Sequence, residues 1–221
     1  MTCAHCRDAE KLFSDRRAKR ELRKYRRKGP DKSTRLLLDA LLGPETAGSS
    51  LLDIGGGVGA IQHASARAGA SAITAADASE AYVEVCRSEA ERQGYVDRAG
   101  YHVGDFIEMA EGLPDADVVT LDKVVCCYPD MPGLIDASAG KAGRLYGLVF
   151  PRRRRPVRAV IALINVFEAL TRSTFRVFVH HPDEIDATVR AAGFEHTHEA
   201  KTFVWQVMVY SRPEATAGTI P

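Results

Sequence analysis

One segment constrains the fold of this 221-residue chain more than any other: Leu51-Leu52-Asp53-Ile54-Gly55-Gly56-Gly57-Val58-Gly59-Ala60. A buried strand runs into glycines, and Ala60–Ala68 then reads as helix. Glycine lets the backbone turn tightly and approach a ligand where a side chain would collide. The same alternation continues downstream. Ala72–Ala76 is a second short apolar run, about Glu80–Gln93 reads as helix, and further strands are expected near Tyr101–Val103, Val118–Leu121 and Leu145–Phe150. Strands alternating with helices imply βαβ units and a mostly parallel sheet.

The two ends of the chain depart from that rhythm. A helix over about Asp183–Ala192 stops at Gly193, and strands over about Glu195–Ala200 and Phe203–Tyr210 follow closely. So short a connection makes them antiparallel, because a parallel crossover needs about a dozen residues. At the other end, about Asp8–Arg27 is rich in helix formers and is stopped by Gly29-Pro30. Asp31 or Ser33 can cap the next helix, which carries Leu36, Leu37, Leu38, Leu41 and Leu42 and ends at Gly43-Pro44.

Charge is distributed unevenly. Ten lysines and arginines lie between Lys11 and Lys28 against Asp15 and Glu21, so a chain of net charge +1 carries about +8 there and about −7 elsewhere. No apolar run approaches the ~18 residues of a membrane span. The charged start MTCAHCRDAEKLF lacks the apolar core of a signal peptide, so a soluble cytoplasmic protein is expected. Five cysteines are an odd number, and in that compartment they read as thiols or ligands.

Two ligand readings of the glycine loop compete. Gly55-x-Gly57-x-x-Ala60 satisfies the dinucleotide fingerprint, which would make the chain an NAD-binding oxidoreductase. Gly55-x-Gly57-x-Gly59 preceded by Asp53 instead resembles motif I of the class I S-adenosylmethionine (SAM)-dependent methyltransferases. Four carboxylates at successive strand ends, Asp53, Asp77, Asp105 and Asp122, favour the second, since an acidic cleft attracts a sulfonium and an ammonium. Asp77 stands where a carboxylate accepts both ribose hydroxyls. The resemblance implies that Asp105, in Val103-Gly104-Asp105-Phe106, faces the adenine amino group. SAM, with S-adenosylhomocysteine (SAH) as product, is therefore expected on Asp53, Gly55, Gly57, Gly59, Asp77, Ala78, Asp105, Phe106 and Asp122.

The terminal hairpin fits the same family. The resemblance implies a Rossmann-like α/β fold with a seven-stranded, mostly parallel sheet, a terminal antiparallel hairpin and an N-terminal helical lid. Residues 1–30 are expected to form the basic lid, 31–212 the methyltransferase domain and 213–221 a flexible tail. Within the class the layout is most similar to the magnesium-protoporphyrin O-methyltransferases, through Arg27-Lys28-Gly29 and through Leu121-Asp122 followed by Tyr128-Pro129. Cys126-Cys127 stands where that group is expected to place a histidine.

Methyl transfer from SAM is an in-line displacement that mainly needs alignment, with a base only where the acceptor must lose a proton. The loop Lys123–Asp130 should line the acceptor side, with Tyr128 and Asp130 foremost. His180 and His181 are candidates to orient or deprotonate an acceptor, or they merely precede a helix; His63 reads as structural. No metal is assigned: Cys3-x-x-Cys6 has ligand spacing but no matching second pair. Arg152–Arg155 followed by the broadly apolar Val157–Leu170 reads as a cover over a hydrophobic substrate, a homodimer surface or core. The expected acceptor is a small aromatic or lipophilic molecule. The alternative is RNA held by the basic N-terminal helix.

Overall fold

The computed structural model describes residues 14–171 and 173–213, so Cys3, Cys6 and nearly all of the expected tail lie outside the described residues. Seven strands form one sheet: β1 (Ser50–Ile54), β2 (Ala72–Asp77), β3 (Ala99–Val103), β4 (Ala116–Asp122), β5 (Ala142–Pro151), β6 (Glu195–Lys201) and β7 (Trp205–Ser211). Their order is β3-β2-β1-β4-β5-β7-β6. The first five are parallel, β7 is antiparallel to β5, and β6 is antiparallel to β7. This is the sheet and hairpin expected from the sequence. The order reverses at β1 and β4, and in open α/β sheets ligands bind outside the carboxyl ends at that point.

Alternation along β1 divides the core. Leu52 and Ile54 pack with Leu134 and Ile135 of α6 (Met131–Gly140) and with Ile185 and Val189 of α8 (Pro182–Ala191). Leu51 faces the other way, onto Leu37 and Leu41 of α2 (Lys32–Leu41), Ile61 of α3 (Ala60–Arg67) and Ala90 of α4 (Glu80–Gln93). Asp31 is the residue that caps α2, accepting from Ser33 N and Thr34 N.

The described part of the basic segment is helix α1 (Asp15–Lys28), ended by Gly29 at φ +70°. Its few apolar residues decide where it lies. Ala18 and Leu22 are buried against Tyr82 and Val85 of α4, which lays α1 along the carboxyl edge of the sheet. A four-residue helix α5 (Phe106–Met109) follows β3, and α7 (Arg155–Leu170) follows β5. Of α7 only Val157 is buried, so the core reading of that apolar segment is excluded.

Candidate cofactor and acceptor site

The glycine loop leaves β1 under a short backbone bond from Gly55 N to Ala76 O, 2.7 Å, on the neighbouring strand. Gly55, Gly57 and Gly59 take φ of +62°, +56° and +77°, a region that strains other L-residues. Space excludes side chains as well: a Cβ at Gly55 would strike Val124, and one at Gly59 would strike the Cys86 sulfur. Beneath the loop lies a buried polar chain. Cys86 Sγ donates to Gln62 Oε1 (2.8 Å), Gln62 Nε2 donates to Asp53 Oδ2 (2.9 Å), and Thr120 Oγ1 donates to Asp53 Oδ1 (2.6 Å). Asp53 is fully buried, and that burial pushes its carboxyl up to about 7 despite both donors. Asp53 thus shapes the loop from below.

His63 has the structural role expected of it. Its Nε2 points at Val58 O (2.8 Å), which fixes the proton there and leaves Nδ1 to accept from Tyr95 Oη. Burial lowers its pKa to about 4, so the ring is neutral.

Asp77 ends β2 facing the loop. Its Oδ2 accepts from Gly57 N (3.2 Å) and its Oδ1 from Ser79 N (2.9 Å), while burial raises the carboxyl to about 6. Asp122 ends β4 and accepts from Thr34 Oγ1 (2.6 Å). Next to it Lys123 sits at φ +67°, with Nζ 3.0 Å from Asp122 Oδ1 and 2.9 Å from Asp31 Oδ2. Burial disfavours charge on Lys123 and Asp31 alike. Their mutual attraction, with the bonds to Asp31 from Ser33 and Thr34, outweighs it and holds Asp31 well below the carboxylate range. This lysine joins the start of α2 to the end of β4, a role no spacing in the sequence announces.

Together these elements enclose a cleft of about 700 Å³. Its floor is Ile54–Val58 with Asp77, Ala78, Gly104 and Phe106, and its far wall is Val124, Cys127, Tyr128 and Phe175. Helix α1 forms the roof with Arg17, Glu21, Lys24, Tyr25 and Lys28. Two polar anchors hold that roof. Tyr82 Oη donates to Glu21 Oε2 (2.6 Å), and Arg26 Nη2 lies 2.7 Å from Glu89 Oε2.

A family model described as "Methyltransferase domain" matches residues 51–139, the stretch that runs from β1 through the glycine loop to α6. Residues 51–139 thus carry a methyltransferase domain, about two fifths of the chain. SAM is therefore the cofactor, and the NAD reading of the glycine loop is set aside. A ribosomal protein L11 methyltransferase from Desulforamulus reducens is 27% identical over 109 residues, covering 48% of this chain and 35% of that protein, so the chain matches about a third of that relative's length. Among solved structures, magnesium protoporphyrin IX methyltransferase from Synechocystis PCC 6803 with bound SAH superposes with TM-score 0.63 at 18% identity, over 94% of this chain and 86% of that one. An O-methyltransferase family protein from Burkholderia thailandensis gives TM-score 0.65 at 17% identity, over 81% and 56%.

The methyltransferase cleft suits its cofactor in size and in chemistry. Its volume falls within the roughly 300–1,000 Å³ of ligand sites. Each Asp77 oxygen keeps lone-pair capacity after one backbone bond. Gly55, Gly57, Asp77, Ala78, Phe106 and Asp122 all line the cleft. Asp53 and Gly59 lie behind it, Asp53 beneath the loop and Gly59 as the residue that caps α3. Asp105 also sits behind the wall: it caps α5 through Ile107 N (3.1 Å) and accepts from Tyr128 Oη (3.0 Å).

Of the acceptor-side candidates Tyr128, Asp130, His180 and His181, only Tyr128 lines the cleft, joined from the same loop by Lys123, Val124 and Cys127. The Tyr128 hydroxyl proton is directed at Asp105, and its oxygen receives Phe106 N (3.3 Å), so it positions the Asp105-Phe106 turn. Asp130 caps α6 through Gly133 N and is exposed. His180 Nε2 points at Tyr128 O (3.0 Å) and its ring stacks on Phe178, which braces the acceptor loop from outside. His181 stands at the N-cap position of α8 without a side-chain capping bond, its Nδ1 3.4 Å from Asp183 Oδ2. Cys126 is buried and Cys127 reaches the cleft. Sequence reasoning missed Tyr25, Tyr82 and Phe175, and had Lys123 only as the first residue of the acceptor-side loop. The two tyrosines and Phe175 carry only an aromatic signal, which is equally that of core.

Proposed function

We propose that this methyltransferase transfers the methyl group of SAM to a small aromatic or lipophilic molecule held beneath the α1 lid, with residues 1–30 acting as that lid. The observation that carries the reading is the roofed cleft itself. It runs from the glycine loop to Val124, Tyr128 and Phe175, deep enough for a molecule and closed above by α1. Bound SAM supplies an activated methyl carbon. The chain's own residues bind, orient and exclude water. Asp77 and the positive-φ glycines would fix the nucleoside, with Asp122 at the methionine end. The apolar far wall would align the acceptor, which can supply several kcal/mol, up to roughly 7–11 in ideal cases. No histidine among the described residues lines the cleft, which favours an acceptor atom that already carries its lone pair at neutral pH. Lys24, Lys28, Lys32 and Arg35 on the rim favour an acceptor with an anionic substituent.

A second reading, RNA as acceptor, has one observation in its favour: Arg16, Lys19, Arg20, Arg23 and Arg27 leave α1 exposed to solvent as a basic face. Turnover of labelled SAM over a panel of small acceptors and RNA, with the full chain and a chain lacking residues 1–28, separates the two. The lid reading expects SAH binding to survive the deletion while turnover of a small acceptor is lost. Submicromolar RNA binding with a steep salt dependence, abolished by the deletion, would replace it.

A further inference from the structure

Helix α7 is built inside out. Val160, Leu163, Val166, Phe167 and Leu170 are 58%, 70%, 56%, 63% and 79% exposed. At 3.6 residues per turn they cover one outward arc of roughly 120°. Asn165 and Glu168, both half-buried, lie on the other side. Asn165 turns inward and brackets the backbone of Val177, giving Nδ2 to its carbonyl (2.8 Å) and taking its N–H (2.8 Å). An ordinary surface helix does the reverse, and an apolar patch of this kind marks an interaction surface.

A second apolar element stands beside it. The turn between β6 and β7 exposes Phe203 (61%) and Val204 (37%). The pairing of Pro151 with Trp205 places that turn at the carboxyl end of β5, where α7 begins. Arg152 N donates to Val204 O (2.7 Å), and the Arg154 guanidinium lies over the Phe203 ring at 4.6 Å. Between the two apolar elements runs a belt of arginines, Arg152–Arg155 and Arg158, with no acidic residue from position 151 to 167.

The geometry points to a docking surface for an anionic lipid bilayer, on which the α7 arc and Phe203-Val204 enter the acyl boundary while Arg153, Arg154 and Arg155 meet lipid phosphates. Apolar anchors flanked by cations are what holds a protein in the interface plane. Charge selects this occupant over a second copy of the chain, because an identical face presents the same arginines and no complementary acid. Glu168, the one acidic residue of α7, is half-buried on the inward side. Helix α7 lies on the bilayer and does not cross it: at 1.5 Å per residue it is too short, and no described helix is long and apolar enough to span.

The face adjoins the cleft. From Val177, held by Asn165, the chain runs to Phe178, whose N–H donates to Cys126 O (2.7 Å), and back to Phe175 on the acceptor wall. A molecule dissolved in the bilayer would thus meet the acceptor wall where the protein docks. The docking itself rests on this face alone and not on the identity of the acceptor.

The test is co-sedimentation of the full chain with phosphatidylcholine vesicles and with vesicles also containing phosphatidylglycerol. Binding is expected to the mixed vesicles only and to weaken as salt rises. Leu163→Glu with Phe167→Glu, both on solvent-facing positions, should lower the apparent partition coefficient at least tenfold and leave SAH affinity unchanged. Arg153→Glu with Arg154→Glu should do the same. Wild-type protein that ignores anionic vesicles, or variants that bind them as well as wild type, would overturn the proposal. So would sedimentation velocity showing a dimer that the Leu163/Phe167 variant converts to monomer, with no vesicle binding by either.

Discussion

Removing the Arg26 side chain should open the roof of the cleft without unfolding the floor. Glu89 is fully buried, and Arg26 reaches it from α1 through Nε (2.8 Å) and Nη2 (2.7 Å). The same carboxylate keeps Arg92 and Gln93 of its own helix in Arg26→Ala, so its charge is not left bare. The full penalty for orphaning a buried ion, about 3–5 kcal/mol, therefore does not apply. What is lost is one charge-assisted contact, about 1.5–3 kcal/mol if sheltered. Arg26 is 41% exposed, and solvent screening brings that to about 1–2 kcal/mol. Ala18 and Leu22 still pack on Tyr82 and Val85, so α1 should stay mostly docked but detach more often. Native-state hydrogen exchange reads this directly. Amides of Arg17–Lys28 should exchange about 5- to 30-fold faster, while those of β1, β4 and β5 keep their protection. Arg27→Ala, at an exposed position on the next residue, is the control. Unchanged exchange in α1, or equal acceleration through the central strands, would refute the view of α1 as a separately opening unit.

Two further outcomes follow from the site. Asp53 titrates near 7 when folded against about 3.9 unfolded, so between those values the folded state binds more protons and stability falls as pH rises. In the cofactor-free protein this contribution should fall by up to about 4 kcal/mol from about pH 4 to pH 7. Asp77, raised to about 6, adds in the same sense, and His63, lowered to about 4, opposes both. Asp53→Asn should therefore make the pH slope of the thermal midpoint less negative; an identical slope in both proteins would remove Asp53 as a source. Glu89, held down to about 2 by Arg92 and its other partners, acts in the opposite sense and only below about pH 4. For turnover, Tyr128→Phe should lower kcat severalfold by releasing Asp105 and the Phe106 turn, whereas His181→Ala should stay within about twofold because that ring lies outside the cleft, beside Asp183 at the start of α8. A pH–rate profile that loses its neutral limb in His181→Ala would restore the histidine as a base.

The parts of this molecule that were legible in the sequence are those in which backbone geometry and chemistry coincide. Gly55, Gly57 and Gly59 announce a loop because positive φ and lack of room both demand glycine, and Asp77 follows at a spacing fixed by one βαβ unit. That α1 is a helix of its own was foreseeable from Gly29-Pro30 and its charge, but the side it presents to the cleft depends on Ala18 and Leu22, two ordinary residues whose partners lie about sixty positions away. The role of Lys123 was invisible for the same reason. Its importance comes from Asp31, about ninety positions earlier, and from a strained φ that no neighbouring residue type requires. His180 and His181 show the converse, a chemically suggestive pair of which one braces a loop and the other stands at the start of a helix, both outside the cleft. Helix α7 is the instructive case. Its apolar breadth was plain, yet composition alone cannot distinguish a helix wrapped by core from one facing outward. The one local sign was Asn165, a polar residue among apolar neighbours, and the fold turns it inward to hold Val177. With the polar position committed to the protein, the apolar arc has only the outside left to face.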